Sequence, residues 1–381
     1  MPSASATLPD RHAATPWGTW RARFAELMAL GGGTLVLFPL VWLLRSRVGL
    51  DASETFIDAF AYHAALVINN PHFAVTYLLF YKDARKRVLR GELPPRQRAR
   101  YVFAGLVVPC ALLAWAGYAS SKGSARSMGF MIELMFFLVG WHYVKQGFGI
   151  LTVFSARRGF RFNPLERKAV LAHCFAGWAY AWASPAAPGR NVQEKGVVYM
   201  ALAHPQWLEQ ITRIAFGLSA VALIAALARR WQKERQLPPF APLMAFLVSI
   251  WLWTVYSSVD PLMLYLIPAL HSIQYLYVVW LLKRNEARAA EGPPLFGKPA
   301  ALRLVMLAAS AVSLAWVLFR GAPSILDGRL VLTSSAFEAT SSLGDTPYLA
   351  AVFVFVNIHH YFMDTVLWRR ENPEMRYLLV D

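Results

Sequence analysis

The sequence predicts an all-α fold: a polytopic integral membrane protein of about ten transmembrane helices, with both termini in the cytoplasm. Three observations carry that prediction. Hydrophobic residues make up 57% of the 381 positions and charged residues only 16%, a balance that the surface of an ordinary soluble domain does not tolerate. The apolar residues gather into windows of about 20, the length that crosses a bilayer core. Lysine and arginine, which bring the formal net charge to +16, gather in alternate loops between those windows, where they report orientation and give no reason to expect nucleic acid as a partner.

Taken in order, residues 1–26 lack an apolar run followed by a small-residue cleavage site, and read as a cytosolic tail. The apolar windows fall at roughly 27–46, 56–81, 101–119, 128–154, 168–184, 209–228, 240–258, 261–282, 300–319 and 347–368, so that residues 27–368 form one transmembrane domain. The exit of the second window carries Lys82, Arg85, Lys86, Arg87 and Arg90. The exits of the fourth, sixth, eighth and tenth carry Arg157 and Arg158, Arg229 and Arg230, Lys283 and Arg284, and Arg369 and Arg370. Positive loops stay inside, so every even-numbered exit faces the cytoplasm and residues 369–381 form a second cytosolic tail. On the opposite side, Pro185–Leu208 reads as an interfacial segment and Gly321–Thr346 as a Ser/Thr/Gly-rich loop. The Trp-rich helix ends, with Trp182, Trp207, Trp251, Trp253, Trp280 and Trp368, read mostly as interface belt. Cys110 and Cys174 both lie in apolar windows and are too few for a disulfide framework.

Six of the nine histidines (His72, His142, His173, His271, His359 and His360) fall inside apolar windows. Ionisable groups at that depth are costly and persist where something pairs with them. Counted from the cytoplasmic ends at about 1.5 Å per residue, these six lie in a band roughly 9–18 Å deep. Five helices thus agree on one level, which favours a shared site over independent helix-to-helix hydrogen bonds. For His72, His173 or His271 taken singly, the two readings are near even.

The neighbours add detail. His360 and Asp364 are four apart on one helical face, as are His142 and Gln146, with Lys145 close by. His271 has Gln274 and Tyr275 one turn on, and Pro71 interrupts the helix beside His72. His359 points about 100° away from His360, so only one of them faces a given metal unless the site is dinuclear. The expected metal ligands are therefore His72, His142, His173, His271, His359, His360 and Asp364, with Lys145, Gln146 and Gln274 as catalytic polar groups. Imidazoles with one carboxylate and no thiolate suit iron, as one or two non-haem ions, and suit zinc or copper less well.

The histidine-studded build, with His360-x-x-x-Asp364 and the pairs His72-Phe73, His142-Tyr143 and His360-Tyr361, resembles the bacterial integral-membrane carotene dioxygenases of the bacteriorhodopsin-related-protein type. That resemblance implies His-bound iron in a membrane enzyme. It covers scattered positions: the Pro-His-Gly-x-x-Asp segment of that family is here Pro71-His72-Phe73-Ala74, without the Gly or the Asp, so carotenoid cleavage is not carried over. The expected function is a membrane-embedded non-haem iron oxygenase acting on a lipid, carotenoid or acyl substrate, with an electron donor as partner. Its location is the cell membrane, the inner membrane in a bacterium. A proton-coupled transporter or channel that uses the His/Asp/Lys cluster as a relay is the first alternative, against which the lack of internal repeats counts. A haem b protein is the second.

Overall fold

Each of the ten apolar windows coincides with a helical run in the computed structural model, which describes residues 16–90, 93–185, 187–258, 261–328 and 343–379. The runs are α1 (Trp20–Val48), α2 (Leu50–Ala64, continued through Ala65–Asn69 into Asn70–Tyr81), α3 (Pro95–Ser121), α4 (Ala125–Arg157) and α5 (Pro164–Ala183). They continue as α6 (Gln206–Glu234), α7 (Phe240–Val255), α8 (Pro261–Glu291), α9 (Ala300–Leu326) and α10 (Pro347–Leu367). Seven, namely α1, α3, α4, α6, α8, α9 and α10, are long and apolar enough to cross a membrane, and α7 is a shorter apolar helix.

The burial of each helix locates the centre. The apolar window of α10 is 67% buried, that of α8 56% and that of α4 44%, against 17% for α9 and 11% for α6. The first three form the inside of the bundle, and α6 and α9 present most of their apolar surface outward, as lipid-facing helices do. Close approach inside depends on absent side chains. A Cβ on Gly147 of α4 would lie 2.8 Å from Ser249 Cβ of α7, so glycine at that position lets the two helices meet.

Several runs contain a wide, π-type turn, and three of these share a cause. The turns Ala65–Asn69, Phe103–Val107 and Val317–Gly321 each end two residues before a proline: Pro71, Pro109 and Pro323. Proline cannot donate to the preceding turn and its ring crowds that turn's carbonyl, so the helix widens and continues instead of breaking. Around Pro109 the consequence is visible. Gly105 O and Ala104 O, which an N–H at position 109 would have engaged in α or π register, accept instead from the Tyr81 hydroxyl at 3.0 Å and from His359 Nε2 at 2.9 Å. A further wide turn, Met28–Gly32, contains Gly31 at φ 137°, a conformation open to glycine.

Three segments carry structure that the sequence expectations did not include. Residues 16–26, expected in the N-terminal tail, are helical from Pro16 on; residues 1–15, His12 included, lie outside the described residues. The C-terminal segment is docked rather than trailing: Asn372 and Leu378 are buried, Arg157 donates to Leu378 O at 2.6 Å, and Glu374 is ion-paired with Arg87. Between α5 and α6 an antiparallel hairpin, β1 (Asn191–Glu194) with β2 (Val197–Met200), turns at Lys195 and Gly196, both of positive φ. Its Tyr199 packs where a Cβ on Gly129 of α4 would stand 2.6 Å away. Most of the expected loop Gly321–Thr346 lies outside the described residues.

Candidate metal centre

Four helices bring one histidine each to a common point: His72 from α2, His142 from α4, His271 from α8 and His360 from α10. All four are buried, none more than 4% exposed. One ligand atom from each lies within 4.8 Å of the others, and the group can hold a metal ion. The rings meet edge to face, with His72 4.5 Å from His360 and His142 4.8 Å from His271 between centroids.

The hydrogen bonds indicate where the lone pairs point. His72 Nδ1 faces Asn69 O at 3.2 Å. A carbonyl can only accept, so Nδ1 carries the proton and Nε2 presents its lone pair to the group. That Nε2 is 3.0 Å from His360 Nε2, and His142 Nε2 is 3.1 Å from His271 Nε2. Donors about 2.1 Å from a metal and at right angles to each other stand about 3.0 Å apart, against about 3.4 Å at tetrahedral angles. The two pairs match the first spacing, which also suits an N–H···N hydrogen bond within each pair.

Two observations bear on whether an ion fits. His271 Nδ1 and His360 Nδ1 are buried with no hydrogen-bond partner; an ion ligated through Nδ1 would pair them, whereas ligation through the converging Nε2 atoms would leave them unpaired. The group also has a carboxylate beside it: Asp364 Oδ2 is 3.4 Å from His360 Nε2 and 3.7 Å from His142 Nδ1. The other oxygen, Oδ1, accepts from the Tyr275 hydroxyl at 2.9 Å and from Trp368 Nε1 at 3.2 Å, which fixes the plane of the carboxylate. Ser272 Oγ lies 3.1 Å from His72 Nδ1 and reaches Asn69 Oδ1 at 2.8 Å. Imidazoles backed by carbonyls, hydroxyls and a carboxylate are the usual surroundings of metal-binding histidines.

The structure separates two of the expected ligands from this group. His173 pairs with Ser219 Oγ at 2.9 Å and stacks on Phe216 at 4.8 Å, a helix-to-helix contact between α5 and α6. His359, on the face of α10 turned away from His360, donates from Nε2 to Ala104 O and accepts at Nδ1 from the Tyr77 hydroxyl at 2.9 Å. Both ring nitrogens of His359 are thereby engaged.

The expected polar groups divide as well. Gln146 donates to Gln274 Oε1 at 2.7 Å, and Gln274 donates in turn to Leu30 O in the wide turn of α1. These amides tie α1, α4 and α8 together beside His271. Lys145 forms no ion pair with Asp364; its Nζ lies 5.4 Å over the Phe148 ring. Two of the helix-end tryptophans, which read mostly as interface belt, face the bundle, Trp253 buried and Trp368 half-buried. Trp253 is 2% exposed and donates to Thr34 at 3.1 Å, and Trp368 holds Asp364. Sequence reading missed Ser272, Tyr77 and Ser219; only Ser272 had a signal, being next to His271 and four residues after Pro268.

No protein-family model matches this chain, and no curated protein or solved structure is similar to it.

Proposed function

We propose that His72, His142, His271 and His360 bind a non-haem iron ion with Asp364, and that the protein is a membrane oxygenase acting on a hydrophobic substrate. The observation that carries this reading is the approach of the Asp364 carboxylate, at 3.4 and 3.7 Å, to two imidazoles of the buried group. Four imidazoles and one carboxylate make five donors, one fewer than an octahedral set, and mixed His/carboxylate ligation with an open position is the donor pattern of oxygen-activating iron. A bound iron ion would supply dioxygen activation. The chain's own contribution is to orient the imidazoles through Asn69 and Ser272, to hold the carboxylate through Tyr275 and Trp368, and to exclude water with a shell of apolar residues.

The same geometry argues against haem. A macrocycle occupies the plane between two axial imidazoles, and here two further imidazoles stand within 4.8 Å in that space. In this reading all ten helical runs lie in the cell membrane with the histidine level in the cytoplasmic half, and the substrate enters from lipid.

Metal analysis with oxygen-uptake measurements tests the proposal. Purified protein should carry about one iron per chain, the number a single His/carboxylate set holds, and should consume dioxygen when given a lipid extract and a reductant. A chain that carries no iron, and that moves protons across vesicle membranes without oxygen uptake, would be a transporter instead.

A further inference from the structure

Lys145 stands out among the sequestered cations. Three cations withdrawn from solvent have a carboxylate beside them: Arg87 is paired with Glu374, Arg230 with Glu166 at 2.7 Å and Lys283 with Glu286 at 2.5 Å. Lys145 is half-buried in the middle of α4 and has no carboxylate partner among the described residues. A withdrawn ammonium without a counter-charge is costly unless an anion arrives from elsewhere.

Its surroundings are cationic too. Arg167 at the start of α5 lies over the same Phe148 ring as Lys145, at 5.2 Å, and Arg369, just past α10, is within electrostatic reach of Lys145. A carboxylate offsets Arg369, and none among the described residues reaches Lys145. Glu371 lies near Arg369, the Cys174 thiol near Lys145 donates to Val144 O, and Asp364 is engaged by Tyr275 and Trp368. Two cations thus share one buried aromatic ring between α4 and α5, and a third, at the end of α10, lies within reach of Lys145. Lys145 is three residues from His142 along α4, about 4.5 Å of helix rise, and Arg369 is five from Asp364, so both lie on the cytoplasmic side of the histidines.

We propose that Lys145, Arg167 and Arg369 form an anchoring site for an anionic head group, carboxylate or phosphate, carried on an apolar chain. The head would sit at the cytoplasmic mouth and the chain would run between the helices toward the four-histidine group. That last clause rests on the oxygenase reading; the anchor itself does not.

The test uses the full chain in nanodiscs of neutral phosphatidylcholine. Binding of a radiolabelled long-chain fatty acid is compared with that of the alcohol of the same chain length. The fatty acid should bind saturably and at least tenfold more tightly than the alcohol. Lys145→Gln should remove that preference while leaving the alcohol's affinity unchanged, and Lys145→Arg should restore it. If Lys145→Gln fails to fold, Arg369→Gln at the exposed edge should reduce the preference at least threefold. Competition by phosphatidylglycerol would assign the site to a phospholipid phosphate, and lack of competition to a free carboxylate; both uphold an anionic anchor. Equal affinity for acid and alcohol in the unaltered protein, or a preference untouched by both substitutions, overturns it. Metal content is measured on the same samples. Lys145-dependent binding in a chain that takes up no iron upholds the anchor and removes the iron reading, whereas iron without charge-selective binding does the reverse.

Discussion

The Tyr275 hydroxyl donates to Asp364 Oδ1 at 2.9 Å and so turns the other carboxylate oxygen toward His360 and His142. If this carboxylate serves the metal, Asp364→Asn should lower metal affinity by about 10- to 100-fold, the range for groups that support or supply ligation. Tyr275→Phe removes one orienting hydrogen bond and should cost about three- to tenfold. Titration against a competing chelator measures both; unchanged affinity in Asp364→Asn would remove Asp364 from the centre.

The division among the histidines gives a second expectation. A chain carrying both His142→Ala and His360→Ala should lose its metal, because half of the converging imidazoles are gone. His173→Ala and His359→Ala should keep it, since Ser219, Tyr77 and Ala104 are what those two rings touch. Elemental analysis of the purified variants decides, and stoichiometric metal in the double variant would contradict the assignment.

What could be read from the sequence was position along each helix and which residues share a face; what could not was which face turns to the centre of the bundle. The apolar windows marked the helical runs, and counting from their basic ends brought six histidines to one level. Depth alone does not distinguish His360, facing the group, from His359, facing Tyr77. It also does not distinguish His271 from His173, because the facing angle depends on which helices are neighbours and on where a turn widens. The hairpin at Asn191–Met200 left one legible mark, Lys195-Gly196, in strands too short to show an alternating pattern. Trp368 and Trp253 looked like belt residues because their positions near window ends carry no sign of what lies across the bundle.

Two glycines two residues apart on α4 should behave oppositely. Gly147→Ala places a Cβ 2.8 Å from Ser249 Cβ and should destabilise the protein by about 1–3 kcal/mol, as overpacking does. A Cβ on Gly149 meets nothing within 4 Å, so Gly149→Ala should be neutral or stabilise the helix by up to about 1 kcal/mol. Thermal unfolding in detergent checks the pair, and equal midpoints would mean that α4 and α7 do not pack as described.

Orientation has its own test. Reporter domains fused after Arg100 and Arg235 should be found in the cytoplasm, and those fused near Ser258 and Leu343 on the opposite side. An external reporter after Arg100 would reverse the topology and place the histidine level in the other half of the bilayer.

The proline-linked wide turn before His72 acts as one extra residue spliced into an otherwise regular helix. Each residue advances a helix by about 100°, so the surplus in Ala65–Asn69 turns everything after it, His72 and Thr76 included, by about that angle relative to Leu50–Ala64. Deleting one residue from this turn, together with Pro71→Ala, would restore the regular winding and swing His72 off the shared point without changing its depth. The phase of α2, and with it one of the four imidazoles, is thus encoded in chain length together with Pro71, a form of information that comparing the ligand residues alone cannot detect.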